Sequence, residues 1–115
     1  MDDSKFVGKC LGDRRSRDTA YHNGTIWTWL LGPYVSAHLK VNDYSAETRK
    51  QALENLILPL FKVSIHQGGL GTISEIYDSD PPNTPRGCIS QSWSVAEPLR
   101  AYVEDILQVK HKLQL

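Results

Sequence analysis

Three carboxylates, Glu75, Asp78 and Asp80, stand close together in the segment from Gly71 to Cys88, GTISEIYDSDPPNTPRGC. Acids gathered between apolar stretches point to a binding or catalytic loop; the other reading of the same residues is a capped turn ahead of a helix. Pro81, Pro82 and Pro85 forbid a helix across the loop, and Gly87 permits a sharp exit from it. The run Thr72 to Tyr77 alternates in character like a short strand. The carboxylates are therefore expected on stiff, irregular backbone.

Around this loop the elements that must position it are read from apolar spacing. Gly68, Gly69 and Gly71 end whatever helix precedes the loop and deliver the chain into it. No Lys-Ser or Lys-Thr follows those glycines, which argues against a phosphate cradle. Upstream, the stretch from Thr25 to Val41 holds Ile26, Trp27, Trp29, Leu30, Leu31, Tyr34, Val35, Leu39 and Val41. It reads as a helix apolar around most of its circumference, with Gly32 and Pro33 as a point of interruption. A helix of that kind belongs inside a larger assembly, which predicts self-association, with a symmetric dimer as the expected form.

A second helix is expected from Ser45, an N-cap with Glu47 in the first turn, through Leu53, Leu56, Ile57 and Leu60, kinked or ended by Pro59. A third, from about Ser90 to Gln108, shows Ile89, Trp93, Ala96, Leu99, Val103 and Ile106 at spacings of three and four. Pro98 should bend it, with Glu104 and Asp105 on its solvated side. Residues 1–20 read as a polar lead-in in which GDRRSRD, Gly12 to Asp18, is a loop tied by its own ion pairs, and residues 109–115 as a fraying tail. The fold class is mostly α, in a single domain.

Bulk properties narrow the partners. With 115 residues, 13 basic and 13 acidic side chains, the chain has no net field to attract nucleic acid or an anionic membrane. Cys10 and Cys88 lack the spacing of a zinc site and are read as free thiols, so neither a metal nor a cofactor is expected. There is no apolar segment of signal-peptide or membrane-span length, and a cytoplasmic protein is the expectation.

Two long motifs carry a resemblance. YHNGTIWTWLLGPYVSAHLKV at Tyr21 to Val41 and GTISEIYDSDPPNTPRGCISQSWSVAEPLRA at Gly71 to Ala101 resemble the C-terminal end of the glycogen debranching enzyme (amylo-α-1,6-glucosidase) family. The likeness runs from about Gly12 to Asp105, in the family's order. It implies that the chain is a helical fragment corresponding to the C-terminal part of an (α/α)6 barrel, 1–115 forming one partial domain. It implies an inverting hydrolase acting on α-1,6-linked glucose, with two carboxyl groups roughly 6.5–9.5 Å apart, one acting as acid and one as base. In the family the base is the glutamate matching Glu75. Asp78 is expected to order the loop through Arg86, and Asp80 either to do the same or to hold sugar hydroxyls.

The resemblance further places His22 and Asn23 at the mouth of the site as donors to sugar hydroxyls, an ordinary structural hydrogen bond being the alternative for His22. Trp27 is the expected sugar platform, whereas Trp93, at helical spacing, is assigned to packing. The implied partner is an α-glucan such as glycogen or a malto-oligosaccharide, together with a second copy or a complementing chain that carries the rest of the barrel. The general acid lies upstream in the family, and no segment here matches it. The chain departs from the family at Thr28 (often proline), Ser79 (glycine), Asn83 (histidine) and Pro98 (aliphatic). A non-catalytic glucan-binding or interaction module, or a remnant without activity, remains the competing reading.

Overall fold

Polar local chemistry starts the first helix of the computed structural model, which describes residues 3–109. Asp13 caps α1 (Arg14–Tyr21) by accepting from the Ser16 amide at 2.8 Å, so GDRRSRD is a capped helix start and not a loop. The Arg14–Asp18 pair, at 3.6 Å, joins successive turns of that exposed helix.

The apolar stretch after it is not one helix. Ile26–Trp27 forms β1, Thr28–Leu30 one 3-10 turn, and only Leu31–Val41 is the helix α2. Ile26 and Trp27 pair antiparallel with Tyr77 and Ile76 of β2 (Ile76–Tyr77), which pairs in turn with β3 (Pro85–Arg86). Residues with high strand propensity found a partner strand, which a periodicity reading of one segment cannot reveal. Gly32 and Pro33 do not interrupt α2. Pro33 lies in the first turn, where its missing N–H costs nothing. Gly32 is where α2 and a later helix touch: a Cβ there would lie 2.6 Å from the Glu97 carbonyl oxygen.

Ser45 caps α3 (Ala46–Ala52), accepting from the Thr48 amide as expected. The rod continues through a π-helical segment, Leu53–Ile57, into α4 (Leu58–Val63). The Leu58 amide donates to the Leu53 carbonyl, one residue further back than in an α-helix, and Pro59 is absorbed in the widened register without ending the helix. A 3-10 turn, Ser64–His66, closes the rod, and Gly68 and Gly71 turn the chain with φ of +68° and +74°. The last helix, α5 (Ser92–Arg100), carries Pro98 and passes into a second π-helical segment, Ala101–Ile106.

The described structure is mostly α, as expected. Its core is divided in two. Val35 and Leu39 of α2 meet Ala52, Ile57, Ala101 and Ile106, while Cys10, Ala20 and Ile76 form a smaller cluster beneath β1 and Tyr21. Of the stripe expected to pack the last helix, Ile106 is buried as expected and Val103 partly so, but Ile89, Trp93, Ala96 and Leu99 are exposed, and Ser94, Pro98 and Ala101 turn inward in their place. Small inward residues let α5 approach Gly32 closely, and that approach fixes which side of the helix is buried. Asp105 is not solvated: it accepts from Ser36 and from Arg100, which also pairs with Glu97 and Glu104 and so bridges α2 to α5. Glu104 is exposed, as read from the sequence. Residues 110–115, most of the expected fraying tail, lie outside the described residues.

Candidate functional site

Glu75 sits immediately before β2, where its amide donates to the Cys88 carbonyl at 2.9 Å. Three donors converge on its half-buried carboxylate: the Tyr21 hydroxyl and the Gln91 amide on Oε1, the latter at 3.4 Å, and the Cys88 N–H on Oε2 at 3.0 Å. Donors from three separate segments fix the direction of both oxygens. Gly87, with φ of +68°, lets the returning chain pass over the group; a Cβ there would stand 2.4 Å from Oε2. Tyr21 is affected in turn. Burial, and then the hydrogen bond and charge of Glu75, push its hydroxyl up to about 12, so it remains a donor.

Asp78 anchors the loop. Its buried carboxylate accepts from the Cys10 amide at 2.8 Å and from Arg86 Nε and Nη2 at 3.1 and 3.0 Å. Burial by itself would raise its pKa, but Arg86 and the Cys10 N–H prevail and hold the carboxyl below the ordinary aspartate value. Loop ordering through Arg86 is therefore what this residue does. Asn83, in the left-handed region at φ 60°, donates to the carbonyls of Asp78 and Ser79 and closes the turn. The Pro81–Pro82 peptide within the turn is cis. Asp80 lies against Gly8, whose carbonyl accepts the Asp80 amide at 3.2 Å, and a Cβ on Gly8 would collide with the Asp80 carboxylate. The polar lead-in thus forms one wall of the loop.

The other predicted residues separate into two groups. His22 and Trp27 are joined to Glu75 through Tyr21: the His22 ring stacks on Trp27 with centroids 5.3 Å apart, and Trp27 meets Tyr21 edge-on at 4.5 Å. The Trp27 indole N–H donates to the Tyr21 carbonyl at 2.9 Å, which fixes the ring. Asn23 is tied elsewhere, its amide donating to the Thr19 carbonyl at the end of α1. Trp93 is not a core residue. It is 43% exposed, stacks on Trp29 at 5.3 Å and meets Trp27 edge-on at 6.2 Å.

Beside Tyr21 opens a cleft of about 400 Å³, with Arg17, Asp18, Tyr21, Arg86 and Gly87 in its lining. Among the described residues no group of three His, Cys, Asp or Glu side chains could hold a metal ion, and no helix is long and apolar enough to cross a membrane. Cys10 is buried and Cys88 exposed, both as free thiols. Sequence reading missed Tyr21 and Gln91 as partners of Glu75. Tyr21 stood in the first motif beside His22, but only the folded chain shows which side chain of that turn reaches the acid.

The sequence model of the amylo-alpha-1,6-glucosidase family matches residues 1–100. No curated protein and no solved structure matches the chain significantly.

Proposed function

Because the chain belongs to the amylo-alpha-1,6-glucosidase family, we propose that it supplies the general-base half of a site that hydrolyses α-1,6-linked glucose from an α-glucan with inversion. The observation that carries this reading is the convergence of Tyr21, Gln91 and the Cys88 amide on the Glu75 carboxylate. A base that activates water must present one oxygen in a fixed direction, and donors on both carboxylate oxygens achieve that. Glu75 is the base, His22 and Trp27 flank the sugar, and Asp80 at the loop's far end contacts hydroxyls further from the reacting bond. Asn23 holds the turn that carries His22, its amide being committed to Thr19.

In this reading residues 1–115 are one partial domain of a helical barrel. The general acid comes from a part of the barrel outside these residues, which packs on the exposed Ile89, Leu99 and Tyr34. Removing one member of an acid and base pair lowers rates by orders of magnitude, so by itself the chain releases glucose slowly but measurably. The half-exposed aromatic group around Trp27 supports a second reading, in which the chain binds glucan without cleaving it.

Glucose release from an α-1,6-branched limit dextrin separates the two. Release that is abolished in Glu75→Gln supports hydrolysis; no release from either protein, with limit dextrin still bound, supports the binding module.

A further inference from the structure

Four aromatic rings stand as two nearly perpendicular walls. His22 and Trp27 are parallel to within 4°, Trp29 and Trp93 to within 22°, and Trp27 meets Trp93 at 80°. Together with Leu30 they line a recess of about 270 Å³. That lies just under the roughly 300–1,000 Å³ of pockets for drug-sized ligands, which suits one sugar ring. The walls are almost free of polar atoms, yet the recess is open, and the rings that form it are held from behind. Thr28, between the two tryptophans, donates its hydroxyl to the Ser74 carbonyl at 3.2 Å, and Trp27 is bonded to Tyr21. A buried Thr28 thus ties the aromatic ridge to the residue next to Glu75. Proline at that position could not donate this bond.

The geometry points to this recess as a pyranose seat, with Trp29 and Trp93 as sugar-contacting residues alongside His22 and Trp27. The inference rests on the glucan reading and adds two residues to the surface that reads the substrate. A pyranose presents flat C–H faces with hydroxyls at its rim. Two walls at right angles cover a face and an edge together, leaving the rim to water and to the His22 ring. Continuity with the reacting site selects a sugar over an aliphatic partner helix, since the same Trp27 ring touches Tyr21, whose hydroxyl holds Glu75. The neighbouring groove shares Trp27 and Leu30 but adds Ile26, Leu31, Tyr34 and Leu60 to its lining, without the paired rings of His22 and Trp93.

Isothermal titration of maltotetraose into Glu75→Gln, in which hydrolysis is suppressed, tests the seat. Adding Trp93→Leu or Trp29→Leu is expected to weaken binding about tenfold, and Trp93→Phe by less. Each variant is checked by circular dichroism and melting temperature; if Trp93→Leu unfolds, Trp29→Leu and Trp93→Phe carry the result. Binding unchanged to within about twofold in the folded variants overturns the pyranose seat, while Glu75-dependent glucose release would still uphold the hydrolytic reading. Conversely, tryptophan-dependent binding without Glu75-dependent release upholds the seat and removes the hydrolysis. No binding of maltotetraose by Glu75→Gln or the wild type overturns the seat outright.

Discussion

The Tyr21 hydroxyl donates to Glu75 Oε1 across 54 residues of sequence, joining the last residue of α1 to the acid that precedes β2. The pair has a spectroscopic signature. Because burial and the adjacent carboxylate raise Tyr21 to about 12, its folded value lies above the ordinary 10. Its contribution to stability is complete below about pH 10 and is lost as the pH rises through about 12. Alkaline titration followed at the phenolate absorbance should show one of the five tyrosines ionising late. That late phase should vanish in Tyr21→Phe. Under the hydrolytic reading the same variant lowers glucose release about tenfold or more, because Glu75 loses a donor that orients it. An unchanged late phase in Tyr21→Phe would detach the hydroxyl from Glu75.

Gly87 gives an independent test of the same carboxylate. Alanine there needs a φ of +68° and places its Cβ 2.4 Å from Glu75 Oε2. Gly87→Ala should cost about 1–3 kcal/mol in stability and displace the carboxylate. Chemical denaturation measures the first effect. Glucose release falling further than the loss of folded protein explains would report the second.

Asp78 makes stability depend on acid. Its folded pKa is depressed, so its stabilisation is present above about pH 4 and is lost as the pH falls through the folded value. Asp78→Asn strands Arg86 and should cost about 2–4 kcal/mol at neutral pH. The variant's melting temperature should also fall less steeply with acidification than that of the wild type. Parallel acid profiles for the two proteins would contradict the assignment.

Gly32 decides whether α2 and α5 can meet. Gly32→Ala gains helix propensity, worth up to about 1 kcal/mol, but drives a methyl group into the Glu97 carbonyl at 2.6 Å. The clash should win, with a net loss of about 1–2 kcal/mol in denaturant unfolding. A more stable Gly32→Ala would mean that the crossing is looser than described.

With the rest of the barrel absent, self-association is the outcome predicted for this apolar surface. Tyr34 is 56% exposed and Leu30 49%, and together with Leu99 of α5 they leave large apolar groups uncovered. Sedimentation at micromolar concentration should show a dimer that Leu30→Lys with Tyr34→Lys dissociates. A wild-type monomer would leave the apolar surface to a different chain.

Individual residues show how far the sequence reached. Ser45 declared its helix because an N-cap acts within one turn, and Asp78 announced its link to Arg86 because both lie on one short hairpin. The family was legible in two contiguous motifs for the same reason, as was the mostly α character. Where the partner is distant the reading failed. Ile26 and Trp27 looked helical until β2 was in place beside them, and Trp93 looked buried until the small residues of α5 closed on Gly32.

The sequence by itself thus determined the chemistry available in the acidic loop, the caps and turns, and the family, all of which depend on neighbours along the chain. Only the tertiary structure decided which donors reach Glu75, which face of α5 is inside, and that four aromatic rings meet in one recess. Those outcomes depend on close approach between segments tens of residues apart. There steric fit at Gly32 and Gly87 selects among arrangements that periodicity leaves equivalent.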